Sequence, residues 1–191
     1  MNGESFAALL RENLAGAELS VMERSMLYPT ARTVREMGAA YLADGRSFSR
    51  QGDRVNALGC FCYGLGWLDA GRSLGLLRSG SRACGYGAWD VEALPENLAG
   101  HLAEKSTRYE RLLGLALDAV EPAPDEGSPL FPAAERIRLV GRAFLREGSR
   151  SLAGGDRARA LALFSYGHGW LDAGVRSGLF RILGHREIFA L

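Results

Sequence analysis

The sequence predicts an all-α fold made of two tandem copies of one three-helix bundle module, related by a pseudo-two-fold axis. Three observations predict it: an internal repeat, apolar residues that recur at helical spacing, and glycine, proline and aspartate where helices would begin and end. With 191 residues, the chain is long enough for one compact domain or two small ones.

The repeat is the clearest of these observations. A shift of 103 positions aligns residues 27–77 with residues 130–180 without a gap, and 24 of these 51 positions are identical. The densest block is Phe61–Gly71, which matches Phe164–Gly174. Chance does not produce such a match, so the module was duplicated. We place copy one at residues 1–78, a linker rich in Gly and Ser at residues 79–95, and copy two at residues 96–191.

Each copy is expected to contain three helices. The first is predicted over residues 5–25 in copy one and 96–120 in copy two, from its apolar spacing. The second begins at Pro29 or Pro132, since proline is favoured in the first turn of a helix. A Gly-Asp break follows, and we expect Asp53 and Asp156 to cap a third helix that ends near residue 77 or 183.

Composition excludes several classes of protein. Apolar residues make up 47% and charged residues 24%, as in ordinary globular proteins. The net charge of +1 provides no overall field for nucleic acid or an anionic membrane. The three cysteines and three histidines lack the spacing of a disulfide framework or a metal site. We therefore expect a cytoplasmic protein with no membrane contact, no metal and no cofactor.

A helical hairpin places residues of the second and third helices opposite each other. If the chain turns at Gly52 in copy one, three pairs should face across the hairpin, and the same three recur in copy two. Facing glycines would let the two backbones approach closely. The expected pairs are Gly38 with Gly66, Tyr41 with Tyr63 and Arg35 with Asp69, and then Gly141 with Gly169, Phe144 with Tyr166 and Arg138 with Asp172.

A carboxylate interrupts the most apolar stretch of each copy, at Asp69 and Asp172. A buried charge is costly unless it is paired, so we predict that Arg35 and Arg138 are the partners. The alternative is that the two aspartates line a ligand pocket. The candidate pocket or packing residues are Tyr63, Gly66, Trp67, Gly71, Tyr166, Gly169, Trp170 and Gly174.

Four side chains, three tryptophans and one histidine, have more ordinary interpretations. Trp67 and Trp170 are expected in the core, with ligand stacking as the alternative, because large aromatic residues at helical spacing are typical of core positions. His168 is leucine in copy one, so we expect a partly exposed helix residue there. Trp89 has no counterpart and is expected either to be exposed or to cover an interface between the modules.

Four arginines spaced four apart form a stripe on one helix face, at Arg138, Arg142, Arg146 and Arg150. Such a stripe can contact phosphates, but a solvated helix face gives the same pattern. Because Glu135 and Glu147 dilute the positive charge, we do not expect nucleic acid as a partner.

The segment Gly155-Asp156 followed by Gly169–Arg176 resembles an archaeal family known as domain of unknown function 357. The resemblance covers about 50 residues of each copy. It implies a short helical bundle with a Gly-Trp-Leu-Asp-Ala-Gly run near its end, and it brings no established activity. Copy one has Arg72-Ser73 where copy two has Val175-Arg176, so an Asp172–Arg176 pair would have no counterpart.

The sequence offers no nucleophile with a base, no phosphate-binding loop and no metal cluster. We therefore interpret the protein as a non-catalytic scaffold or interaction module whose partner is another protein. It would be a monomer that acts as a fused dimer, with its copies packed through their glycine-rich third helices. The main alternative is a small-ligand binder with a Trp/Asp pocket between helices. A lesser alternative is nucleic-acid contact through the Arg138–Arg150 stripe.

Overall fold

The computed structural model of the protein describes residues 1–79 and 89–190. Within these ranges each copy has three helices and two three-residue strands, which confirms the predicted all-α tandem duplication. Most of the predicted linker, residues 80–88, lies outside the described residues. The elements are α1 (Gly3–Ala15), β1 (Ala17–Leu19), α2 (Tyr28–Arg50), α3 (Arg54–Ser73), β2 (Leu77–Ser79), α4 (Ala99–Asp118), β3 (Val120–Pro122), α5 (Phe131–Ala153), α6 (Arg157–Arg176) and β4 (Phe180–Ile182), with 3₁₀ turns at Glu96–Leu98 and Arg186–Ile188.

The Gly-Asp breaks have the predicted roles. Gly52 and Gly155 have φ values of +80° and +85°, a conformation in which glycine has no steric penalty. The next residue caps the following helix: Asp53 Oδ1 accepts a hydrogen bond from the Asn56 backbone N–H at 3.0 Å. Asp156 does the same in copy two. Both hairpins therefore turn where the sequence places the turn.

Three of the predicted helix ends are wrong, whereas the first helix of copy two ends at Asp118, close to the predicted residue 120. The first helix of copy one ends at Ala15 rather than near residue 25, and the third ends at Ser73 rather than near residue 77. In copy two the corresponding ends are Asp118 and Arg176. The residues that follow these helix ends pair as two short antiparallel strands in each copy. In copy one, Ala17–Leu19 pairs with Leu77–Ser79. These ladders satisfy backbone groups that follow the helix ends.

The core is centred on α3 and α6. Both helices are buried on almost every face, as expected for helices surrounded by other helices. α2 and α1 pack on α3, α5 and α4 pack on α6, and one continuous set of buried residues runs through both copies. Within the described ranges, none of the helices is both long enough and apolar enough to cross a bilayer.

The two central helices cross where each has a glycine. A Cβ atom added to Gly66 would collide with the carbonyl oxygen of Tyr166, and one added to Gly169 would collide with that of Tyr63. The Cα atom of Gly169 lies 3.2 Å from the Cβ position of Gly66. The copies therefore pack through their third helices, as predicted, with no side chain at the crossing point.

The predicted facing of glycines within each hairpin is wrong. A Cβ atom on Gly38 would meet the side chain of Leu68, and one on Gly141 would meet that of Leu117. The turn sets how far along each helix two residues meet, but not which face of the helix they occupy. Gly66 and Gly169 face each other across the copies instead.

We expect Gly66→Ala to lower the free energy of unfolding by about 1–3 kcal/mol or more, because its methyl group meets backbone that cannot move aside cheaply. Gly59→Ala is the matched control on the same helix. Its methyl group would meet only Ser165 Oγ, at an ordinary 3.5 Å, and alanine favours the helix by up to about 1 kcal/mol. Urea unfolding of both variants measures this, and equal stabilities would contradict the close crossing.

Candidate functional site

The two buried aspartates bind the copies to each other. Asp69 and Asp172 are 5% and 1% exposed. The Tyr166 hydroxyl donates to Asp69 Oδ2 at 2.8 Å, and the Tyr63 hydroxyl donates to Asp172 Oδ2. Each aspartate therefore accepts a hydrogen bond from a tyrosine of the other copy.

The predicted arginine partners are wrong. Arg35 Nε donates to the carbonyl oxygen of Ala17 at 3.0 Å, and Arg138 forms an ion pair with Glu135 at 2.7 Å. Each aspartate faces the other copy, whereas the arginine of its own hairpin bonds to a group within its own copy. The hairpin register predicts how far along the helices an arginine and an aspartate lie, but not whether their side chains point towards each other.

Asp69 has a cation on its own helix. Arg72 Nη1 lies 2.7 Å from Asp69 Oδ1, and the Arg72 side chain is 9% exposed. The same guanidinium donates to Asn13 Oδ1 at 2.8 Å and to the Asn13 carbonyl oxygen at 2.9 Å. This network joins α1, α3 and α6 and compensates the buried charge, so we interpret Asp69 as structural.

Asp172 lies in a different environment. The positions that match Asn13 and Arg72 hold Ala116 and Val175 in copy two, and both are buried and apolar. Arg176 is exposed and forms no ion pair with the aspartate. The nearest basic group is His168, whose Nε2 lies 3.9 Å from Asp172 Oδ2, which is too far for a hydrogen bond.

Burial keeps both groups uncharged near neutral pH. It raises the pKa of Asp172 to about 8, against the opposing effect of the Ala190 backbone N–H. It lowers the pKa of His168 to about 4, against the opposing effect of a hydrogen bond with the Ile188 backbone. His168 Nε2 is buried and has no hydrogen-bond partner among the described residues. An orphaned polar atom of this kind calls for an explanation.

A pocket of about 300 Å³ opens beside His168, at the junction of the two copies. Helices from both copies and the segment Glu187–Ala190 form its wall. The rings of Tyr41 and Tyr63 are 4.4 Å apart, as the hairpin register predicts, and Tyr63 lies 5.8 Å from the His168 ring. We call this cavity the His168 pocket; its main lining side chains are Tyr41, Cys60, Tyr63, Tyr109 and His168.

The equivalent position in the other half of the molecule is filled. Trp89 is buried there, with its ring centre 5.4 Å from Phe6, 4.9 Å from Tyr166 and 6.3 Å from Phe144. We call this arrangement the Trp89 site. Of the two expectations for Trp89, the structure therefore supports the one in which it covers the interface between the copies.

The remaining candidate residues are not in the pocket. Trp67 and Trp170 are buried in the core, as expected, and neither lines the His168 pocket. Gly71 packs against Val34, and Gly174 packs against Ile137 and Phe180.

The arginine stripe lies on the surface of α5. Arg142, Arg146 and Arg150 are exposed, and Arg150 lies 3.5 Å from Glu147. The pairing of Arg138 with Glu135 removes one member from the stripe.

Comparison with known families agrees with the fold. The family described as Protein of unknown function (DUF357) matches residues 5–77 and again residues 108–180. The chain belongs to this family. Each match spans one copy, so the protein contains two DUF357 domains in tandem. Searches of curated proteins and of solved structures give no match.

Sequence reasoning missed His168, Tyr41, Tyr109 and Cys60 as pocket residues. His168 was expected to be partly exposed, but it is buried because α6 is covered on all sides. Sequence differences between the two DUF357 copies could have indicated these pocket residues. Copy two replaces leucine by histidine in a buried stretch, and it also lacks the Asn13 and Arg72 that compensate Asp69 in copy one.

We expect Arg72→Met to lower the free energy of unfolding by about 3–5 kcal/mol, because it removes the guanidinium that pairs with the buried Asp69 carboxylate at 2.7 Å. The control is Arg138→Met, which removes a partly exposed pair within one helix and should cost less than about 1 kcal/mol. Thermal or urea unfolding compares them. A larger loss in the Arg138 variant would restore the pairing that the sequence predicted.

The two shifted pKa values predict a pH dependence of stability. Folded Asp172 holds its proton up to about pH 8, whereas the unfolded chain releases it near 3.8, so stability falls as pH rises toward 8. Folded His168 binds no proton above about pH 4, whereas the unfolded chain binds one below 6.5, so this contribution falls as the solution becomes more acidic. The two slopes oppose each other below pH 6.5, and Asp172 acts alone above it.

We therefore expect the wild-type protein to lose about 1–2 kcal/mol of unfolding free energy between pH 6.5 and 8.5 relative to Asp172→Asn. Asparagine cannot release a proton in this range, so its curve should be flatter. Urea unfolding at three pH values provides the measurement. Parallel curves for the two proteins would show that Asp172 is ionised in the folded state.

Proposed function

We propose that this tandem DUF357 protein is a non-catalytic binding protein that holds a small organic ligand in the His168 pocket. The observation that carries the proposal is the contrast between two equivalent positions. Trp89 fills one of them, and the other is an open pocket lined by Tyr41, Tyr63 and His168.

An open pocket costs stability. Filling it with an aromatic side chain would bury apolar surface, as Trp89 does in the other half. Leaving His168 Nε2 without a partner adds the desolvation cost of that atom, about 1–3 kcal/mol. A bound ligand that fills the space would offset the cost of the open pocket. Packing that is less than optimal persists in proteins where it serves a function.

The charges around the pocket favour a ligand without negative charge. Glu187 is the only formally charged side chain among the described residues that line it. His168 is neutral at physiological pH because of its burial. A phosphate or carboxylate would therefore enter without a counter-ion, which is costly. A neutral ligand has no such cost.

The sequence-based interpretation as an interaction module stays as a second candidate. Met22 and Met26 are 79% and 90% exposed, and Leu27 beside them is also exposed. Leu130, the counterpart of Leu27 in copy two, is exposed as well. Three exposed apolar side chains within residues 22–27 favour a protein contact at that segment. Cytoplasmic location, archaeal source, the monomeric state and the nucleic-acid alternative stay predictions from sequence.

Native mass spectrometry of the protein purified from a cell extract tests the proposal. We expect a small, reproducible adduct on the wild-type chain that is lost in His168→Leu. Leucine is the residue at this position in copy one, so the fold should persist. His101→Leu makes the same change at a partly exposed site and should keep the adduct. By mass action, the adduct should also raise the melting temperature of the wild-type protein.

The same spectra separate the two candidates. A bare chain in every variant contradicts ligand binding. A bound protein that is lost in Met26→Ser but kept in His168→Leu supports the interaction module instead.

A further inference from the structure

The segment of residues 185–190 contributes one wall of the His168 pocket, and few backbone bonds tie it to the rest of the molecule. The last such tie is the Leu183 backbone N–H, which donates to the Ala119 carbonyl oxygen at 2.7 Å. After it, the backbone–backbone hydrogen bonds of the described chain stay inside the segment, at 3.1 and 3.3 Å. Segments with so few bonds to their surroundings open at a lower free energy than the helices beside them.

The chain bends where this segment begins. His185 has a φ of +54° and a ψ of +40°, the left-handed conformation that residues with a Cβ atom rarely adopt. Within residues 1–79 and 89–190, it is the one residue other than glycine with a positive φ. Gly184 precedes it, is exposed and has no heavy atom beyond its chain neighbours within 4 Å of the position that a Cβ atom would take. An unhindered glycine beside a strained residue absorbs changes in backbone angle, as hinges do.

Two buried side chains of α6 hold the segment against the helix. His168 shares a hydrogen bond with the Ile188 backbone, and Asp172 accepts one from the Ala190 backbone N–H. Burial lowers the pKa of His168 and the bond to Ile188 raises it, so the imidazole is the donor and the Ile188 carbonyl oxygen is the acceptor. A single bond of this kind changes an opening equilibrium by up to about tenfold. Both bonds can therefore break while α6 stays folded.

Phe189 anchors the segment to the pocket. Its side chain is 7% exposed, whereas residues 183–187 before it are all exposed. It lines the His168 pocket together with Tyr41 and Tyr63. Because Phe189 is the one buried residue between positions 183 and 190, withdrawal of its ring both frees the segment and enlarges the cavity.

We propose that residues 185–190 are a hinged lid that swings about Gly184 to admit the ligand to the His168 pocket. This inference rests on the proposed function and adds how its ligand enters. The closed cavity of about 300 Å³ is at the small end of ligand sites, so entry through a moving wall relaxes the limit on size. In the closed lid, His168 and Asp172 act as the latch and Phe189 as the anchor, and the latch needs no contact with the ligand.

Alkylation of two cysteines on α3 by N-ethylmaleimide tests the lid in the full chain. Cys60 lines the pocket, and burial raises the pKa of its thiol to about 12, so the reactive thiolate is scarce while the lid is closed. Cys62 is fully buried outside the pocket and reacts when the whole fold opens. Peptide mapping by mass spectrometry measures both rates on one chain. We expect Cys60 to react faster than Cys62 in the wild-type protein, because the lid opens more often than the whole fold.

Two phenylalanine variants separate lid opening from a general loss of stability. Phe189→Ala removes the anchor and should raise the Cys60 rate at least about tenfold, since a buried phenylalanine no longer holds the closed state. Phe180→Ala is the matched control: Phe180 is also 7% exposed, but it lies in β4 and outside the pocket. Both variants should raise the Cys62 rate, which reports global unfolding, whereas Phe180→Ala should leave the Cys60 rate unchanged.

His168→Leu tests the latch while the Phe189 ring stays in the wall. Leucine cannot donate to the Ile188 carbonyl oxygen, so the Cys60 rate should rise about two- to tenfold. His101→Leu makes the same change outside the pocket and should leave that rate unchanged. A rise in His168→Leu shows that Cys60 becomes reachable by opening of the wall and not by the space that a smaller side chain at position 189 creates.

Equal Cys60 rates in Phe189→Ala and Phe180→Ala overturn the inference, as does an unchanged rate in His168→Leu. In either case the binding function still stands if the native mass spectra show the His168-dependent adduct. An adduct that is absent from every variant contradicts the binding function, whatever the Cys60 rates are.

Discussion

The close crossing of α3 and α6 at Gly66 and Gly169 is the constraint on which the rest of the structure depends. With no side chain between the helices, each backbone lies against the other, and the flanking tyrosines reach across to the aspartates of the opposite copy. The outer helices then cover the central pair on its remaining sides. A glycine in a helix costs up to about 1 kcal/mol relative to alanine, and here the packing between copies offsets that cost.

The two DUF357 copies solve the same electrostatic problem in different ways. A carboxylate in a protein interior is tolerated when it is paired or when it stays protonated. Asp69 is paired, with Arg72 held in place by Asn13. Copy two has Val175 and Ala116 in place of Arg72 and Asn13, so Asp172 has no such counter-ion, and burial raises its pKa so that it stays protonated at neutral pH. One copy therefore carries a rigid ionic network, and the other carries a neutral pair of groups beside an open pocket.

This divergence has a physical consequence for function. The Trp89 site contributes stability because an aromatic side chain fills it. The His168 pocket has space of about 300 Å³ for another molecule. Duplication permits this division, since one half can maintain the fold while the other departs from optimal packing.

Local features of the chain were determined by the sequence. The repeat, the turns at Gly52 and Gly155 and the aspartate caps were predicted because each depends on residues only a few positions apart. The ring pairs of each hairpin followed from the same turns, since a short connection fixes the register of two antiparallel helices. Membership of the DUF357 family was also readable, from the Gly-Trp-Leu-Asp-Ala-Gly run.

Only the tertiary structure decided which groups meet across the copies. The register of a hairpin gives the position along a helix but not the face, so the partners of Asp69 and Asp172 were predicted wrongly. The burial of His168 and the placement of Trp89 depend on contacts between segments far apart in the chain. The site was decided at that level because its walls come from both copies, and no local pattern specifies how two helical surfaces rotate against each other.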